Sequence, residues 1–92
     1  MLKSFDRSVS VPTTLLKVCD INPNRIALFI TNLGGNFVTV HLGSDGNTSN
    51  GIRLNASGGA LVIDRAGPWD GEIWMIADAA INPMGIVEVA VG

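Results

Sequence analysis

Residues 25–42 read RIALFITNLGGNFVTVHL, and this stretch decides the fold class. Two runs rich in Ile, Val, Thr and Phe, residue types that suit a pleated, half-buried surface, flank the turn-forming cluster Leu33-Gly34-Gly35-Asn36. Side chains alternate between faces along a strand. The first run therefore sets Ile26, Leu28 and Ile30 against Ala27 and Phe29, and the second sets Val38, Val40 and Leu42, expected in the core, against Phe37, Thr39 and His41. The Gly34-Gly35 pair predicts a hairpin joining Arg25 to Thr31 with Phe37 to Leu42, because primed two-residue turns need positive φ at both central positions.

The same grammar extends in both directions. Turn clusters recur at Asn22-Pro23-Asn24, Gly43 to Asn47, Ser57-Gly58-Gly59, Gly67 to Gly71 and Asn82-Pro83-Met84-Gly85. Between them the remaining predicted strands run from Arg7 to Val11, Thr14 to Cys19, Gly51 to Leu54, Ala60 to Asp64, Glu72 to Ala77 and Gly85 to Val91. No window long enough for a helix keeps a 3.6-residue apolar period free of Gly and Pro. About eight short strands so spaced predict an all-β, antiparallel β-sandwich. Its connections are expected to be jelly-roll-like Greek keys, since a simple meander would leave long edges exposed. In the last strand Val87, Val89 and Val91 are expected in the core, with Ile86, Glu88 and Ala90 opposite.

A chain of 92 residues and 9.6 kDa has room for one domain. The polar start, with Leu2, Phe5, Val9 and Val11 as its apolar residues, reads as an N-terminal arm over residues 1–12 that orders on docking, leaving 13–92 as the sandwich. A folded chain of this mass shows about 5,000 Å² to water. With 47% hydrophobic and only 15% charged residues, that surface must carry much apolar area. The strand from Glu72 to Ala77 makes this concrete, because Ile73 and Met75 oppose Trp74 and Ile76 and neither side is polar. Such surplus predicts burial against another chain, in a homo-oligomer or a lattice contact, and any self-association is expected to give a trimer ahead of a dimer. The interface candidates are Leu2 and Phe5 in the arm, and Phe29, Trp69, Trp74, Ile76 and Ile86 in the body.

Charge and reactive residues limit the chemistry. The net charge is −2, with residues 1–25 at +2 (Lys3, Arg7, Lys17 and Arg25 against Asp6 and Asp20) and the rest at −4. This balance argues against nucleic-acid binding, which needs a basic patch. The absence of an 18-residue apolar run or an apolar leader predicts no membrane partner and no standard export. One cysteine, Cys19, forbids an internal disulfide and fits a reducing compartment. Cys19 and His41 are the sole Cys and His, too few for a zinc site and on different predicted strands, so neither catalysis nor a cofactor is expected. The loop Asp45-Gly46-Asn47-Thr48-Ser49 starts like a calcium loop, but Asn50 and Ala56 stand where the turn Gly and the bidentate Glu belong. Asn47 and Asn55 open glycosylation-type triplets without a secretory context. Trp69, Trp74 and the Asp45 to Asn50 loop define the alternative reading, a carbohydrate-binding or tail-associated module.

The segments RIALFITNLGGNFVTVHLG (25–43), SNGIRLNASGGALVID (49–64) and PWDGEIWMIAD (68–78) resemble a pattern of small virion proteins of tailed bacteriophages. The resemblance covers most of the chain and is structural in kind. It implies a capsid decoration, or cement, β-sandwich on the capsid surface, made in the host cytoplasm, with the major capsid protein as partner. It brings no catalytic residues.

Overall fold

A computed structural model describes residues 1–44, 50–64 and 67–92. Its described residues form nine strands and no helix: β1 (Leu2–Asp6), β2 (Val9–Val11), β3 (Leu16–Cys19), β4 (Arg25–Asn32), β5 (Val38–His41), β6 (Ile52–Leu54), β7 (Ala60–Ile63), β8 (Ile73–Ala77) and β9 (Asn82–Val91). All pairings are antiparallel. The first sheet runs β1-β9-β4-β7 with β2 also on β9, and the second runs β3-β8-β5-β6. From β2 onward every connection changes sheet except the one from β5 to β6, which is the jelly-roll arrangement anticipated from the need to avoid long exposed edges. Leu28, Ile30, Val38, Val40, Ile73, Met75, Met84 and Ile86 fill the space between the sheets. The accessible surface is 4980 Å².

The hairpin expected at Gly34-Gly35 does not form. β4 lies between β9 and β7 in the first sheet, while β5 lies between β8 and β6 in the second, so residues 33–37 turn a corner between sheets. Buried Asn32 organises that corner. Its Nδ2 donates to the carbonyls of Asn36 (2.8 Å) and Leu54 (3.3 Å), and its Oδ1 accepts from Gly34 N (3.0 Å) and Asn82 Nδ2 (2.8 Å). Gly34 is needed for close approach, since a Cβ there would collide with the Asn82 carboxamide. Among the described residues the positive-φ glycines are instead Gly43, Gly51 and Gly58. Asn82-Pro83-Met84-Gly85, read as a turn, opens β9: Asn82 is wholly buried, and its Oδ1 accepts from Asn36 N at 3.0 Å.

Residues 2–11, read as an arm, lie along β9 as the edge of the first sheet. Leu2 faces Val91, Asp6 faces Val87, Val9 faces Met84 and Val11 faces Asn82, one unbroken register across β1 and β2. Between the two strands, Arg7 N donates to Ile86 O (2.8 Å) and Ile86 N to Ser8 Oγ (3.0 Å). Val11 is fully buried, so this segment is part of the core at one end and a bare edge at the other, where β1 is exposed except at Phe5.

The faces of β9 are opposite to those expected. Met84, Ile86, Glu88 and Ala90 point inward, while Val87 and Val91 are exposed. A charged residue read in isolation belongs outside. Here Glu88 is drawn in by arginines, and the period of two carries every neighbour with it. Ile86 is therefore a core residue and no interface candidate. Leu42 falls just beyond β5 and is exposed rather than in the core.

Candidate functional site

Two outer faces and one end of the sandwich hold the residues that carry chemistry. On the first sheet, strand alternation turns Leu2, Phe29, Val62, Val87 and Val91 outward, and all five are exposed, Phe29 at 46% and Val62 at 53%. Cross-strand pairing sets Val62, Phe29, Val87 and Asp6 in one row over β7, β4, β9 and β1. Asp6 is the sole charge that alternation along these strands places on this face. Beside Phe29 and Val87, a shallow groove of about 440 Å³ is rimmed by Ser4, Asp6, Ser8 and Leu33, the last lying over Gly85.

The outer face of the second sheet is different. Arg53 stacks on Phe37 with its guanidinium 4.4 Å from the ring centroid and pairs with Asp78 at 3.1 Å. Lys17 pairs with Asp20 at 2.7 Å and lies 3.7 Å from Glu72. Trp74 and Ile76 sit half-buried among these groups, and Trp74 Nε1 donates to Glu72 Oε1 at 3.0 Å. The interface candidates of the body thus do not share a surface. Phe29 lies on the first sheet's outer face, Trp74 and Ile76 on the second's, Ile86 in the core, and Trp69 packs against that core. Of the N-terminal pair, Leu2 joins the first outer face, whereas Phe5 lies under Arg7 at 4.9 Å.

Trp69 is held by its Nε1, which donates to Glu72 O at 2.9 Å, and by the tight packing of its indole on Gly71. It walls a cleft of about 280 Å³ with Arg25, Ile63, Asp64 and Asp70. Trp69 is half-buried against the core and Trp74 half-buried on the outer face of the second sheet, and both indole N–H groups donate to Glu72, to its carbonyl and to its carboxylate respectively. Residues 45–49, the other part of the carbohydrate-binding reading, lie outside the described residues.

Arg25 and Glu88 are the residues that sequence reasoning missed. Their side chains are 1% and 3% exposed, and Arg25 Nε donates to Glu88 Oε2 at 2.7 Å. Arg25 Nη1 also donates to the carbonyls of Trp69 (3.0 Å) and Gly71 (2.9 Å), and Nη2 to that of Asp20 (2.9 Å). Arg7 Nε reaches the other Glu88 oxygen at 3.2 Å. One guanidinium therefore ties the 20–25 turn and the 67–72 loop to β9. The signal available in the sequence was a lone carboxylate among valines in a chain poor in charge, which requires a partner if it is buried.

Burial, the largest single influence on Glu88, raises its pKa, but the hydrogen bond and charge of Arg25, with further hydrogen bonds from Arg7 and Asn22, outweigh it and hold the carboxyl below its ordinary 4.5. A depressed folded-state pKa adds stability that is present above that ordinary value and lost as the pH falls through the folded one. The wild type is accordingly expected to lose stability on acidification below about pH 4.5, and Glu88→Gln to flatten that limb in urea melts across pH. An equally steep limb in Glu88→Gln would assign it to the exposed Asp6 and Asp20, which are also depressed.

Cys19 is buried in β3 and faces the core, and burial, then the charge of Glu88, pushes its thiol up to about 11. It is thus not a ready nucleophile at neutral pH. His41 points from the opposite face of the second sheet, packed over Gly51, so no Cys-His pair is assembled. Among the described residues no three His, Cys, Asp or Glu side chains gather to hold a metal ion, and no helix is long and apolar enough to cross a membrane.

Comparison with family models, with curated proteins and with solved structures finds no match to this chain.

Proposed function

We propose that the chain is a structural subunit that docks on a protein lattice through the outer face of its first sheet, as a decoration protein on the capsid of a tailed phage. The observation that carries this reading is the row of Phe29, Val62 and Val87, an apolar sheet face left in water while the other face is laced with ion pairs. Contiguous exposed apolar surface on a small domain marks a contact with another macromolecule. The resemblance of residues 25–78 to small virion proteins gives the contact its class, with the major capsid protein as partner. The physical gain is simple: a ligand that binds only the assembled shell stabilises it by RT ln(1 + [L]/Kd) at every site.

The reading is tested on purified particles of the phage that encodes the chain. Mass spectrometry should find the protein in stoichiometric amount, and electron microscopy should place it on the head. Added back to heads lacking it, the wild type should restore decoration, whereas Val87→Lys, which buries a charge in the contact, should bind about tenfold or more weakly while folding normally. Particles that lack the protein, or unchanged binding by Val87→Lys, would refute the proposal.

A further inference from the structure

We infer that β7 is a self-association edge, pairing antiparallel with β7 of a second copy across a twofold axis so that the two first sheets become one. This inference does not rest on the lattice reading.

The sandwich has four edges, formed in the first sheet by β1 with β2 and by β7, and in the second by β3 and by β6. Edges are protected in natural proteins by charges, prolines or bulges. β1 (LKSFD) carries Lys3 and Asp6, β2 (VSV) continues that edge for three residues between Arg7 and Pro12, β3 (LKVC) carries Lys17 and a bulge, and β6 (IRL) carries Arg53. β7 (ALVI) has none of these devices.

Symmetry sharpens the contrast. In an antiparallel pair, directly opposite residues point to the same side of the sheet. A twofold axis normal to the sheet must therefore pass through a residue facing its own copy. Centred at Lys17 of β3 it sets Lys17 against Lys17, and centred at Arg53 of β6 it sets Arg53 against Arg53, each a like-charge clash, while centring β3 at Val18 runs the pairing through the irregular Lys17–Cys19 segment. Centred on β1 at Ser4, it sets Leu2 against Asp6. Centred on β7 at Val62, it sets Val62 against Val62 on the outer face and Leu61 against Ile63 on the inner, with Ala60 against Asp64, and no like charges meet.

Such pairing also extends the exposed row. Asp6, Val87, Phe29 and Val62 of one copy continue into Val62, Phe29, Val87 and Asp6 of the other, an apolar band closed by carboxylates at both ends. Val62, at 53% exposure, gains cover without any rearrangement of its own sheet. Four residues of pairing make an interface below about 1,200 Å², in the weak and transient class. The product is a twofold dimer, in place of the trimer expected ahead of it.

Sedimentation velocity on the full chain, from about 10 μM to about 1 mM, provides the test. The wild type should pass from monomer to dimer over this range. Val62→Lys, which sets two ammonium groups against each other at the axis, should weaken the dimer at least about tenfold, while Val87→Lys, two strands away from the new junction, should leave it unchanged. Circular dichroism should show both variants folded, since each position is exposed. A wild type that stays monomeric to about 1 mM, a trimer, a dimer indifferent to Val62→Lys, or a dimer lost equally in Val87→Lys would each overturn the inference, the last pointing to face-to-face contact.

Discussion

Arg25→Ala is expected to cost about 3–5 kcal/mol, a large share of the about 5–15 kcal/mol that a domain of this size holds in all. The loss has two parts. Glu88, 3% exposed, keeps only the half-exposed Arg7 as a counter-charge, and a buried carboxylate without its main partner is strongly destabilising. The carbonyls of Asp20, Trp69 and Gly71 lose their donor as well, which frees the two loops that this guanidinium ties to β9. Arg25→Lys should fall between, since an ammonium retains the charge but not the planar fork that reaches several acceptors at once. Replacing both members, as Arg25→Met with Glu88→Met, should recover the electrostatic part of the loss and not the loop part. Urea denaturation measures all three. A loss below about 1 kcal/mol for Arg25→Ala would mean that water replaces the guanidinium at this site and that the pair adds little to stability.

How far the sequence could be read depends on the range of the forces involved. Most strand positions, the core role of Val38 and Val40, the sharing of one face by Leu28 with Ile30 and by Ile73 with Met75, and the sandwich itself follow from local propensity and alternation, so they were legible. The face of β9 was not. A period-two pattern fits either side, and the choice turned on Glu88, whose partner Arg25 is 63 residues away in the chain. The same holds at Gly34, where local chemistry favours a hairpin but Asn32 and Asn82, 50 residues apart, bind each other across the corner and send β5 to the other sheet. Residues 2–11 look polar because an edge strand needs few buried side chains; its order comes from the backbone of β9. For the candidate surface, Phe29 and Leu2 were legible as exposed apolar residues. Val62 and Val87 emerge only when register sets them beside Phe29, so the continuous row is a property of the fold.

Asn32→Ala is expected to cost about 3 kcal/mol and to act on topology as much as on stability. The side chain makes four hydrogen bonds in a fully buried site, two as donor to Asn36 O and Leu54 O and two as acceptor from Gly34 N and Asn82 Nδ2. Alanine leaves these partners facing a small apolar gap, and each unsatisfied buried group costs about 1–3 kcal/mol, offset where water enters. Asn32→Asp keeps the shape and the two acceptor bonds, yet it loses both donors and buries a charge, so it should be at least as damaging. The pairing with Asn82 can be isolated by a double-mutant cycle with Asn82→Ala. A coupling of about 1 kcal/mol or more would mean that the two carboxamides work as one unit. Strict additivity would instead give the corner to the backbone bonds that join Asn32 to Gly58 and Gly59. Because the corner is what carries the chain from the first sheet to the second, its loss should also slow folding more than it speeds unfolding if the sheet crossing forms in the transition state. Chevron plots of Asn32→Ala and Arg25→Ala separate the two roles. The first should move chiefly the folding limb, and the second, which secures loops at the end of the sandwich, chiefly the unfolding limb.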